Sequence, residues 1–163
     1  MRYPFIAVLC QLFCISLLAA GPVAAGQPSQ NGQSVLKRDD PVYVVAHSAV
    51  DCPVCKTWRA SSSGLPLAKK LSETWPNVRF VLIERRYLNG SEDESLYPRE
   101  LHALYQDRRD RYQMSPPTPL FEIVMHDKVV LRLAGLQAWN EQVVPAVEEI
   151  ERNRETASSA DSK

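Results

Sequence analysis

The sequence predicts an α/β fold built on a four-stranded mixed sheet with helices on both faces. Three observations carry that expectation. Residues 42–46 (VYVVA) and 78–83 (VRFVLI) are short, continuous apolar runs rich in β-branched residues, the pattern of strands buried on both faces. Helical character separates them, so they form a β-α-β unit with parallel strands. Residues 120–125 (LFEIVM) and 129–134 (VVLRLA) are two further runs, and the gap His126-Asp127-Lys128 is short enough to require an antiparallel hairpin.

The elements follow in order. Arg2, the uncharged apolar run 5–20 (FIAVLCQLFCISLLAA) and the small residues Val23-Ala24-Ala25 have the layout of a secretory signal peptide over 1–25. The apolar run is short for a membrane span of about 20 residues. No small residues lead up to Cys10 or Cys14, so neither sits in a lipoprotein context. Residues 26–40 are polar and rich in Gly, Gln and Ser, a flexible lead-in. The domain is expected over 41–152, with a frayed tail over 153–163.

Inside the domain, the first helix opens at the cysteines and is interrupted at Ser61-Ser62-Ser63-Gly64. It resumes from Leu65 to Trp75, and Pro76-Asn77 ends it. Residues 89–114 are a helical insertion. Its acidic opening, Ser91-Glu92-Asp93-Glu94, reads as a solvated loop, and its helix starts near Pro98. Tyr97, Leu101, Leu104, Tyr105 and Tyr112 share one helical face, and Asp107 can pair with Arg111 one turn on. Gly135 ends the fourth strand. A last helix runs from about Ala138 to Arg152, with Val143, Val144, Val147 and Ile150 as its buried stripe and Pro145 expected to kink it or shorten its first turn.

Removal of residues 1–25 leaves about 138 residues, one domain, with 18 basic and 19 acidic side chains, or −1. That balance gives no basic excess to hold a phosphate backbone and excludes nucleic acid as an expected partner. It also leaves two cysteines, Cys52 and Cys55, in a compartment where disulfides form. A staple closing so small a loop constrains the unfolded chain little, so a purely structural role explains the pair poorly. Cys52 follows a buried strand and opens a helix, where free N–H groups and the helix dipole favour a thiolate. Cys55 lies one turn further in, placed to attack a mixed disulfide at Cys52. Lys56 favours the thiolate and Asp51 disfavours it. Metal is the rival chemistry: His47 could join Cys52 and Cys55 in a three-ligand soft-metal site, although a histidine lining the active-site cleft explains it more simply. His102 and His126 read as surface histidines. Ser115-Pro116-Pro117-Thr118-Pro119 leads into the third strand, and a cis Thr118–Pro119 bond would turn Thr118 backbone groups outward toward an extended substrate chain.

Taken together, VYVVA, CPVC opening a helix, VRFVLI, Thr-Pro before a hairpin, Gly135 and a closing helix resemble the thioredoxin superfamily over residues 41–152. The resemblance implies a thioredoxin-like fold, Cys52 as attacking thiol, Cys55 as resolving thiol, Pro119 as the cis-proline packed beside them, and Thr118 as the backbone contact to substrate. Four features depart from the pattern. Asp51 stands where thioredoxins carry a tryptophan. Ala46 stands where they carry a buried aspartate that accepts the resolving thiol's proton, a role left to His47 or Glu84. The insertion 89–114 lengthens the chain before the proline, and Pro-Val between the cysteines is closer to the Pro-Tyr of glutaredoxins.

The expected function is an exported, periplasmic thiol–disulfide oxidoreductase acting on protein cysteines. It needs no bound cofactor, works as a monomer, and exchanges electrons with a membrane redox partner. Two alternatives belong to other classes: a copper- or zinc-handling module using Cys52, Cys55 and His47, and a thioredoxin-fold binding protein without redox turnover.

Overall fold

The computed structural model describes residues 39–111 and 116–160. The expected signal peptide, most of the lead-in, Tyr112 and Ser115 lie outside the described residues. Four strands, β1 (Val42–Ala49), β2 (Val78–Arg85), β3 (Leu120–Met125) and β4 (Lys128–Ala134), form one sheet in the order β2-β1-β3-β4. β1 and β2 run parallel, with Val42 opposite Val78 and Ala49 opposite Arg85. β1 pairs antiparallel with β3, and β3 with β4. The central pair is nearly continuous in apolar residues because both of its faces are covered. The hairpin turn is His126–Asp127, both at positive φ (49° and 59°), so β4 begins one residue earlier than expected. That backbone matches the right-handed twist of the strands it joins.

Helices cover both faces. On one side lie α1 (Pro53–Ala60), α2 (Leu65–Thr74) and the last helix, which opens as α4 (Leu136–Ala138), widens through a π turn at Trp139–Val143 and continues as α5 (Val144–Ala160). Val42, Val44, Ala46, Phe121 and Ile123 from the sheet meet Trp58, Leu71, Trp139, Val143 and Val147 here. Phe121 packs between Trp139 and Trp58 at ring distances of 4.9 and 5.2 Å. The break between α1 and α2 depends on Gly64: a Cβ there would lie 1.7 Å from the Trp58 carbonyl oxygen. Pro145 is the second residue of α5. The widened turn falls just before it, closed by the Val144 N–H on the Trp139 carbonyl.

The insertion covers the other face. Two 3₁₀ turns, Glu94–Leu96 and Arg99–Leu101, lead into α3 (His102–Arg111), and Tyr97, Leu101 and Leu104 pack on Val45, Ile83 and Val124. The Asp107–Arg111 pair is present at 3.1 Å.

Two expectations are corrected here. Residues 153–160 are not a frayed tail, because α5 runs on to Ala160. The reason is Arg154, buried, whose guanidinium donates to the Asp40 carbonyl at 2.9 Å. Asp40 is held a second time, its carboxylate pairing with His126 Nε2 at 2.8 Å. The acidic opening of the insertion is not wholly solvated either. Glu92 folds under it, with its side chain only 5% exposed.

Candidate active site

β1 delivers the chain to Cys52, which caps α1. Cys52 and Cys55 are joined in a disulfide with Cα atoms 5.2 Å apart. Pro53 occupies the first helical position, where its missing N–H leaves nothing unpaired. The Cys55 N–H donates to Cys52 Sγ at 3.1 Å, and the Cys52 carbonyl accepts from Lys56 N–H. The helix start therefore aims an amide hydrogen at the first sulfur, the arrangement that stabilises a thiolate when the bond opens. Both sulfurs are buried, clustered with Ala49, while Asp51, Pro53, Val54 and Lys56 are exposed around them.

The Thr118–Pro119 bond is cis. Leu120 pairs with His47 across β1 and β3, so the Thr118 loop lies at the same end of the sheet as the cysteines. The Pro119 carbonyl accepts from Gly135 N–H at 2.9 Å, and Gly135 sits at φ +92°, a conformation glycine takes without a Cβ penalty. Asp51, in the tryptophan position of the resemblance, holds a neighbouring loop in place. Its carboxylate accepts the Leu88 N–H at 2.6 Å and ties the segment after β2 to the cysteine motif.

His47 does not line the cleft. It is fully buried on the insertion side of the sheet, with Nδ1 3.0 Å from Glu92 and Nε2 2.9 Å from Glu122. Each ring nitrogen therefore has a carboxylate oxygen within hydrogen-bond distance. Both nitrogens are engaged, so His47 is not a third ligand for the cysteines, and among the described residues no group of three or more potential ligands could hold a metal. Glu84, the other candidate acceptor for the resolving thiol, pairs with Arg59, which also donates to Ser48 Oγ at 2.6 Å.

Around His47 runs a network that sequence reasoning missed. Arg108 lies 3.2 Å from Glu92 and 3.4 Å from Glu122. Tyr97 Oη donates to Glu92, and Arg132 pairs with Glu122 and Asp107. Burial alone would raise the Glu92 carboxyl, but the His47 hydrogen bond and charge, with Arg108 and Tyr97, outweigh it and hold the group at about 2. Glu122 is lowered likewise: burial opposes, and His47, Arg108 and Arg132 prevail. Burial, then the Glu92 charge and hydrogen bond, push the Tyr97 phenol up. One signal was present in the sequence: Glu122 interrupts an otherwise apolar strand, LFEIVM, and a buried charge needs a partner. Glu92 gave none, sitting in a run of acidic residues.

A parallel β-α-β unit, a disulfide-bonded C-x-x-C capping its helix, and a cis Thr-Pro step entering a hairpin strand define a thioredoxin-like fold with a C-x-x-C pair at the head of its first helix. No protein-family model matches the chain, and no curated protein matches it. Among solved structures it is similar to the short form of thioredoxin f from spinach chloroplast (20% identity, 74% of this chain and 86% of that chain, TM-score 0.43). It is also similar to thioredoxin f2 from Chlamydomonas reinhardtii (18%, 70% and 92%, 0.44) and to thioredoxin from Aeropyrum pernix (19%, 68% and 77%, 0.42).

Proposed function

We propose that this protein is an exported thiol–disulfide oxidoreductase that exchanges disulfides with protein cysteines through Cys52 and Cys55. The observation that carries the reading is the Cys52–Cys55 disulfide at a helix start, with Cys55 N–H donating to Cys52 Sγ. In the oxidised form, a substrate thiolate attacks Cys52 Sγ. The new intermolecular S–S bond forms as the Cys52–Cys55 bond breaks, and Cys55 leaves as a thiolate. A second substrate thiolate then attacks the substrate sulfur and expels the Cys52 thiolate, leaving the substrate oxidised and the pair reduced. Run backwards, the same steps reduce a substrate disulfide, with Cys52 attacking and Cys55 resolving. Thr118 is the backbone contact to an extended substrate segment. Lys56 stands one turn of α1 from Cys52 as an auxiliary positive charge. The cysteines carry the electrons themselves.

Export rests on the charged start and apolar run of residues 1–25, which put the pair in an oxidising compartment such as the periplasm. A membrane redox partner closes the electron balance there, and the protein acts as a monomer. Among the described residues, no helix is long and apolar enough to cross a membrane. The metal-handling alternative is weakened by the engagement of His47 with two carboxylates.

The test is the reduction potential of the pair in thiol buffers, read by alkylation and mass, together with trapping. A potential near about −270 mV assigns a reductant and one near about −120 mV an oxidant. Cys52→Ser abolishes exchange, and Cys55→Ser accumulates a mixed disulfide with substrate. A pair that never cycles overturns the proposal, and a Cys55→Ser variant with normal turnover overturns the roles assigned.

A further inference from the structure

The exchange scheme leaves unused one buried cation close to the site. Arg85 ends β2, is 2% exposed, and accepts the Val50 N–H on its carbonyl at 3.0 Å. Its guanidinium spreads over two loops. Nε donates to the Tyr87 carbonyl at 3.1 Å. Nη2 faces the Leu88 carbonyl at 2.7 Å, the Pro116 carbonyl at 2.9 Å and Thr118 Oγ1 at 3.2 Å. Nη1 lies 3.5 Å from Glu92. A continuous chain of contacts therefore runs from Thr118 to Arg85, to Leu88, to Asp51, and by the peptide bond to Cys52.

The geometry asks for arginine specifically. A planar fork with five donors can hold two loops at a fixed spacing, and an ammonium on a flexible stem cannot. The loop it holds carries Tyr87 and Leu88, both exposed. With Val50 and Val54 these are four of the five large exposed apolar residues among the described residues. All four border the cysteine motif, in sequence or through the Asp51–Leu88 bond. The disulfide itself is buried, this apolar rim borders its motif, and the Thr118 loop lies at the same end of the sheet.

We propose that Arg85 is a positioning residue for substrate. It fixes the gap between the Tyr87–Leu88 loop and the Thr118 loop, and that gap favours cysteines carried in extended polypeptide with apolar flanks over small disulfides. The proposal rests on the redox reading above and adds the residue that sets how its polypeptide substrate is held.

The test compares two substrates on the whole protein. One is a small aromatic disulfide, which needs no contact with either loop. The other is a peptide disulfide with leucine or valine beside its cysteine. Arg85→Lys should lower kcat/KM for the peptide roughly tenfold, through KM, while the small disulfide changes far less. Thr118→Val removes one acceptor of the clamp and should cause a smaller peptide-selective loss that does not add to that of Arg85→Lys. Circular dichroism confirms that each variant is folded, and if Arg85→Lys does not fold, Arg85→Gln takes its place in the comparison. Equal losses on both substrates reduce Arg85 to a structural role and overturn the proposal, as does no loss on either. Wild-type protein that reacts with neither substrate overturns the redox reading instead, and the inference with it.

Discussion

Replacing Glu92 with glutamine should cost about 3 kcal/mol at neutral pH, and that cost should vanish in acid. The folded protein holds the Glu92 carboxyl at about 2, against an ordinary 4.5. At 1.36 kcal/mol for each pH unit, this gap corresponds to about 3 kcal/mol of stability from the charged form. The side chain is 5% exposed, so solvent screening takes little from that figure. A carboxylate with a depressed folded value contributes stability that is complete above its unfolded value. The contribution is lost as pH falls from about 4.5 through about 2. Glu122 and Asp107 are lowered too and lose stability in the same direction, so the informative quantity is the difference between wild type and Glu92→Gln. Urea unfolding followed by circular dichroism at steps from pH 7 to pH 2 measures it. The difference should shrink steadily over that acid window. A difference independent of pH, or one below about 1 kcal/mol at pH 7, would refute the claim that His47, Arg108 and Tyr97 outweigh the burial of this carboxylate.

Other substitutions test other parts of the fold. His47→Leu leaves Glu92 and Glu122 without the ring between them and should cost about 3–5 kcal/mol in the same unfolding assay. His47→Gln, which can donate from one end, should recover part of it. Gly64→Ala drives a methyl into the Trp58 carbonyl, so it should lower the melting temperature by at least several degrees or prevent folding. A neutral outcome there would mean that the α1–α2 break can relax. Asp51→Ala frees the Leu88 amide and should raise hydrogen exchange at that amide more than at any residue of β1, with a stability loss of about 1 kcal/mol.

What could be read from the chain in advance was whatever a short window encodes. Period and composition gave the strands. Gly64 and Pro76 gave the breaks in the first helical segment. The position of Cys52 between a buried strand and Pro53 gave a helix-capping thiol. The His126–Asp127 turn followed from the short gap between two apolar runs. The polar network was not legible for the opposite reason: His47 meets Glu92 across 45 positions and Glu122 across 75. No local pattern distinguishes Glu92, which folds inward, from Glu94, which stays exposed. The expectation that His47 lined the cleft failed on the same ground, because strand alternation fixes the face and only the insertion decides what covers it. Arg154 extended α5 past its expected end through a contact with Asp40, at the other end of the domain.

These long-range pairs give the insertion a structural part in the site. Every ion pair that anchors Glu92 reaches another element: His47 on β1, Arg85 at the end of β2, and Arg108 on α3. β1 runs two residues past His47 to Ala49, a short turn leads on to Cys52, and Arg85 holds the Thr118 loop. The same carboxylate thus touches the strand that presents the first cysteine and the cation that clamps the loop opposite it. Ala46, at the position of the buried aspartate in the resemblance, leaves the helix-covered face apolar at that level. The buried charge sits instead under residues 92–108, where arginine, histidine and carboxylate satisfy one another. Removing the insertion would not merely shorten a loop. It would expose Glu122 and His47, release Arg85 from Glu92, and loosen the clamp on the Thr118 loop.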